Sequence, residues 1–250
     1  MATPKIVYFI GCWGNYNAPQ VGKALLRVMR RNQHEVVVPE QCCCGLPMMA
    51  NANIRGAGRN FRKNVESLYR AAYPDGVVLT TCPSCNLMLR REGRIFFDSI
   101  KAQWIAEHTM DVGVYLLQLH REKRLDINFQ EIPLRIFYKN PCHQQLQGLV
   151  QEPQDLLRLL PGLNLAGMSM ECCGLGGSHG MKRPNYERSQ QIAQKVWDDA
   201  RQSKAEAGVT ECGGCNMRIR EGTGWQVFHP IELFDKAYSD AGQPGKRSSG

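Results

Sequence analysis

Ten of the chain's eleven cysteines form one pattern that occurs twice. The first set is Cys12, then Cys43-Cys44-Gly45, then Cys82-x-x-Cys85. The second is Cys142, then Cys172-Cys173-Gly174, then Cys212-x-x-Cys215, each cysteine 129 or 130 residues after its counterpart. A period of that size in a 250-residue chain favours two domains of one type, each built so that thiols distant in sequence meet. We assign residues 1–125 to the first, with a connector helix, residues 126–240 to the second, and residues 241–250 to a disordered tail.

Strand and helix signals alternate in each half. Residues 5–10 are β-branched and aromatic and end at Gly11-Cys12. Residues 19–32 carry helical spacing, with Val21, Leu25, Val28 and Met29 on one face. A strand over 35–38 leads into the cysteine run, a helix follows over 54–73, and a strand over 77–81 leads into Cys82. A further helix is expected from about 84 to 91. The second half repeats the order: strand 134–139, helix 155–160, weak strand 163–165, helix 186–203 and short strand 209–211. Segment 95–125 reads as a connector with one amphipathic helix carrying Val112, Tyr115, Leu116 and Leu119. Alternation of this kind gives an α/β fold with mainly parallel sheets. The cysteines then follow the C-terminal ends of strands, the edge at which open α/β sheets bind ligands.

Hydrophobic residues make up 43% of the chain, a normal globular share. No apolar run reaches the roughly 18–20 residues of a membrane span, and the N-terminus has no signal-peptide core. Cytosolic placement is therefore expected, with any membrane association made through a partner. Cytosolic thiols stay reduced, so dense cysteine there reads as metal binding or redox chemistry before structural disulfide. The net charge of +8 comes from basic residues spread along the chain, which describes a solvated surface suited to acidic subunits and not a nucleic-acid groove.

Five thiols per half exceed the needs of one zinc ion. Thiolate is the usual ligand of iron–sulfur clusters, and adjacent cysteines can serve neighbouring irons. Gly45 and Gly174 permit a positive φ and a close backbone approach to sulfur. Each C-x-x-C pair sits where a helix begins, which favours thiolate. The alternatives are zinc in one half or both, a zinc-stabilised binding module, and a metal-free dithiol protein.

The tandem order resembles the cysteine-rich CCG domain family. That family is found in the B subunit of heterodisulfide reductase and in the C-terminal part of the C subunit of anaerobic glycerol-3-phosphate dehydrogenase. The segments that carry the resemblance are residues 11–20, Cys43-Cys44-Gly45-Leu46-Pro47, Pro141-Cys142-His143, Cys172-Cys173-Gly174 and Phe228-His229-Pro230-Ile231, and it extends over residues 5–238. It implies two Rossmann-like domains related by pseudo-twofold symmetry. It also implies two non-cubane 4Fe–4S clusters, one held by Cys12, Cys43, Cys44, Cys82 and Cys85, the other by Cys142, Cys172, Cys173, Cys212 and Cys215. The implied role is an oxidoreductase subunit that takes electrons from a ferredoxin-like iron–sulfur or flavoprotein partner and splits a bound disulfide. Relay to a quinone-linked partner is the second implied role. The ferredoxin module fused to some relatives has no counterpart in this sequence, so electrons are expected from another polypeptide.

Other residues invite functional readings. His143 and His179, each close to a motif cysteine, are candidates for proton delivery during sulfur-bond cleavage. An orienting role is the plainer reading of both. His229, before Pro230, reads as a helix cap, and His34, His108 and His120 as surface residues. Gly174–Ser178 lacks the spacing of a phosphate loop. Met48 and Met49 read as core filling, and Cys42 lies outside the pattern.

Overall fold

A computed structural model describes residues 4–239; the proposed tail at 241–250 lies outside the described residues. Two four-stranded parallel sheets carry the chain. In the first, β1 (Ile6–Phe9), β2 (Val36–Val37), β3 (Val77–Thr80) and β4 (Thr109–Asp111) lie in the order β2-β1-β3-β4. In the second, β5 (Leu134–Lys139), β6 (Leu163–Ser169), β7 (Ala207–Val209) and β8 (Val227–Phe228) lie in the order β6-β5-β7-β8. The two orders are the same, so the repeat seen in the cysteines extends to the topology. In both, the chain runs outward from the first strand and then crosses back, which puts a switch point between β1 and β3 and between β5 and β7.

Alternation along the central strands divides their side chains between layers. Ile6 and Tyr8 face one core, Val7 and Phe9 another. Ile136 and Tyr138 join the same core as Ile6 and Tyr8, whereas Phe137 faces away. Four helices fill the space between the sheets: Pro19–Arg31 and Val112–Arg121 from the first half, Glu152–Arg158 and Pro230–Ser239 from the second. The outer face of the first sheet is covered by Ile54–Ala72 and Ile100–His108, that of the second by Tyr186–Gln202 and Gly213–Thr223. The middle layer is thus a single apolar core shared by both halves. Its amphipathic faces follow the sequence pattern, with Val21, Leu25, Val28 and Met29 all buried.

The connector departs from expectation. In place of one helix, segment 95–125 holds the Ile100–His108 helix, the edge strand β4 and the Val112–Arg121 helix. Thr109 ends the first helix by donating its hydroxyl to the Ile105 carbonyl at 2.6 Å. Asp111 starts the next by accepting from the Gly113 N–H at 2.8 Å. The expected amphipathic helix is thus the Val112–Arg121 helix, and Thr109 and Asp111 separate it from the additional Ile100–His108 helix. The helix expected over 84–91 also runs further, from Pro83 through a π-helical turn at Met88–Glu92 to Phe97. β6 exceeds the expected 163–165 because a bulge at Ala166 lets pairing resume at Gly167. β7 precedes the expected 209–211, leaving Thr210 and Glu211 beyond its end. His34 is buried instead of surface-exposed, packed edge-on against Tyr115.

One buried histidine ties the halves together. The His229 backbone N–H donates to Glu232 at 2.7 Å, and His229 Nδ1 accepts from the Ile231 N–H at 3.0 Å, capping the Pro230–Ser239 helix. Because Nδ1 accepts, Nε2 carries the proton, and it donates to the Thr81 carbonyl of the other half at 2.8 Å. Burial lowers this imidazole from 6.5 to about 4. Protonation thus favours the unfolded chain between those values. The stabilisation is intact above about pH 6.5 and is lost, up to about 3 kcal/mol, as pH falls to 4. We expect urea denaturation of the reduced protein to show a smaller difference between pH 7 and pH 5 in His229→Gln than in the wild type. Equal differences would remove His229 from the acid sensitivity.

Candidate metal centre

The short Gly11–Tyr16 helix carries Cys12 just past β1, its entry fixed by Gln41 Oε1, which accepts from the Ile10 and Gly11 N–H groups at 2.8 and 3.2 Å. The Cys42–Cys44 run is held from behind by the Ile54–Ala72 helix. Asn64 accepts from the Cys42 N–H at 2.9 Å and donates to the Cys42 and Cys43 carbonyls, each at 3.2 Å; Asn60 donates to the Cys43 carbonyl at 3.2 Å. Gly45 then turns the chain at φ +96° with its α-carbon against the Ala57 backbone, and Gly174 does so at φ +79° against Ser189. Both glycines behave as the repeat predicts. Cys82 and Cys212 each stand at the N-cap of a helix that follows a strand end.

All five thiols of the first half meet. Cys12 Sγ lies 3.8 Å from Cys43 Sγ. Further side-chain contacts run from Cys43 to Cys44, from Cys44 to Cys85 and from Cys85 to Cys82. In the second half, Cys173, Cys215 and Cys212 are in contact, with Cys142 and Cys172 exposed at the rim within electrostatic reach. Cys42 stands apart, its thiol directed to Asn64 Oδ1 at 3.4 Å.

Charge is distributed unevenly along these chains. Thiol donation from Cys12 and Cys44, with the Gly45 N–H, holds Cys43 far below the usual thiol range. Cys85 and then the Cys85 and Ser84 N–H groups bring Cys82 to about 7. Cys215, the Leu175 N–H, Lys139 and Arg218 bring Cys173 to about 6. Their neighbours Cys12, Cys44, Cys85 and Cys215 are pushed up. Each half therefore favours a thiolate at one position, Cys43 and Cys173, while metal binding would displace protons from thiols pushed up, such as Cys12, Cys44, Cys85 and Cys215.

The two sets face one another. All the motif cysteines except Cys43 line one cavity of about 270 Å³. Across it, the residue after the first cysteine of each half reaches the C-x-x-C turn of the other. The Trp13 ring packs where a Gly213 side chain would be, and His143 Nδ1 lies 2.8 Å from Ser84 Oγ. His143 lines the cavity, and burial lowers its pKa. His179 is exposed and is not among the residues lining the cavity, although Ser178 is. The sequence reading missed Gln41, Asn60, Asn64, Lys139 and Arg218. Two asparagines one helix turn apart on the Ile54–Ala72 helix, in line with its apolar face, are the signal that could have found that pair.

The donor set fits a sulfur-rich polynuclear group: soft ligands throughout, two adjacent thiols per half, and backbone N–H groups aimed at sulfur, such as Gly174 to Cys172 Sγ at 3.3 Å. Among the described residues no group of His, Cys, Asp or Glu is closed around a single-ion position.

Tandem doubly wound domains that bring paired cysteine sets to one cavity define a class of duplicated, thiol-rich proteins. This chain belongs to the CCG cysteine-rich domain family, whose model matches residues 6–90 and 136–220. It is 31% identical over 235 residues to the C subunit of the anaerobic glycerol-3-phosphate dehydrogenase of Escherichia coli, covering 93% of this chain and 59% of that one. It is 31% identical over 246 residues to the B subunit of the fumarate reductase (CoM/CoB) of Methanothermobacter marburgensis, covering 94% and 47%. An iron–sulfur protein of Methanocaldococcus jannaschii is 26% identical over 221 residues, covering 87% and 41%. The chain thus spans about half the length of these relatives.

Asn64 is fully buried and supports three bonds to the cysteine run. Asn64→Ala is expected to destabilise the protein by about 1–3 kcal/mol. It should speed alkylation of Cys43 and Cys44 in the metal-free protein, leaving Cys172 and Cys173 unchanged, as read by mass spectrometry. Unaltered labelling of Cys43 and Cys44 would show that the clamp does not hold that loop.

Proposed function

We propose that this chain is the iron–sulfur subunit of a multi-subunit oxidoreductase, with one four-iron cluster of the non-cubane type in each half. The observation that carries the reading is that nine of the ten motif thiols line one cavity, with the tenth, Cys43, against Cys12. The first cluster would be held by Cys12, Cys43, Cys44, Cys82 and Cys85, and the second by Cys142, Cys172, Cys173, Cys212 and Cys215. Bound there, the clusters would supply one-electron chemistry. The names of the relatives, two oxidoreductase subunits and an iron–sulfur protein, support the same class.

In this reading the chain receives electrons from an iron–sulfur or flavin partner and delivers them to a disulfide in the cavity. Splitting a disulfide into two thiols takes two electrons and two protons. His143, held by Ser84 at the cavity wall, is positioned to hand over one of those protons. Burial lowers its pKa, which makes its protonated form a stronger acid but a scarcer one near neutral pH. Trp13 and Met217 supply apolar cavity wall that limits water at the sulfurs. No helix among the described residues is long and apolar enough to cross a membrane, so a membrane-bound acceptor would be reached through a partner.

Anaerobic purification followed by iron, sulfide and zinc analysis and EPR tests this. About eight irons per chain are expected, from two four-iron clusters. Cys172→Ser should lower the iron and leave the first-half signal. One or two zinc ions without iron would replace this function with a structural metal module.

A further inference from the structure

The two cysteine sites are alike in topology and unlike in charge. Lys139, the last residue of β5, is 1% exposed, and its ammonium donates to the Asn140 carbonyl at 2.5 Å. None of the ion pairs among the described residues includes it. It acts electrostatically on Cys142 and on Cys173. Arg218, also 1% exposed, donates to the Cys173 carbonyl at 3.1 Å and to Glu221 at 2.6 Å. The positions related to these by the 130-residue repeat are Phe9 and Met88, both apolar and fully buried. The leading electrostatic neighbours of the first-half motif thiols are other thiols.

A buried cation without an acidic partner is costly unless an anion occupies the space beside it. At Lys139 that space holds the second cysteine set. Arg218 is partly balanced by Glu221, so Lys139 is the larger uncompensated charge. Glu171, beside Cys172, is exposed and its charge is screened. An electron added to a group bound by Cys142, Cys172, Cys173, Cys212 and Cys215 places negative charge next to this cation. The first site offers no such compensation. Exposure of Cys142 and Cys172 acts in the same direction, because net charge and solvent access both tune cluster potentials.

We propose that Lys139, supported by Arg218, gives the second-half cysteine site the higher reduction potential, so that it holds an electron before the first-half site does. The inference rests on the two-cluster reading above. It makes the duplicated chain directional: the first half faces the donor and the second half retains charge.

The test is a redox titration of the anaerobically purified full chain, followed by EPR. Cys43→Ser and Cys172→Ser assign the signals to the two halves. In the wild type the second-half transition is expected at the higher potential. Lys139→Met is expected to lower that transition so that the ratio of reduced to oxidised site at a fixed potential falls about tenfold, or ~59 mV for a one-electron couple. The first-half transition should stay in place, and Lys139→Arg should keep most of the wild-type value. If Lys139→Met does not retain iron, Arg218→Gln carries the same test with a smaller shift in the same direction. Two clusters with the second-half transition lower in the wild type, or unmoved when the lysine charge is removed, would overturn the inference and leave the function standing. A chain that binds no iron would overturn both.

Discussion

The shared apolar layer is the constraint on which the rest of the structure depends. Four helices, two from each half, fill the space between the sheets in one continuous core. The helices that cover one sheet pack against those of the other half, Pro19–Arg31 on Pro230–Ser239 and Val112–Arg121 on Glu152–Arg158, so neither pair buries its far side alone. With the sheets fixed in this way, the strand ends that carry the cysteines face each other, and two separate loop clusters become one cavity. Bonds that cross between the halves, such as His229 to Thr81 and Asn51 to Ser178 at 2.9 Å, hold that alignment beside the sulfurs. The exposed Arg27–Asp235 pair adds little by comparison.

Much of this was legible in the sequence because the cysteine pattern and the hydrophobic alternation say the same thing. The thiols follow strands, and the strands are continuous apolar runs such as Ile6–Phe9, so an α/β sheet with ligands at its C-terminal edge follows. What stayed hidden depends on contacts distant in sequence. β4 and β8 are only three and two residues long and carry no periodicity of their own. They are strands because β3 and β7 offer them an edge. Trp13 and His143 looked unrelated as residues, yet they occupy matching places and cross to matching turns.

The site was legible as two sets of thiols but not as an environment. Nine of the ten motif cysteines line the cavity, and the tenth, Cys43, lies 3.8 Å from Cys12. Asn64, Lys139 and Arg218 were not visible as members, because nothing local distinguishes a buried polar residue from an exposed one. His34 shows the same effect in reverse: polar in context, buried in fact. Burial also decides the chemistry, since a lysine at 1% exposure acts on the sulfurs far more strongly than one in water.

The crossing of Trp13 and His143 bears on how such a chain came to be. Each half completes the other's C-x-x-C turn through the same position, which is the arrangement an isologous dimer of a single half would have. In a symmetric dimer any substitution changes both sites at once. Once the two copies are fused, Phe9 and Lys139 can diverge while the backbone around them stays the same. Within one fused chain, a symmetric pair of pockets can become unequal in charge while keeping its shape.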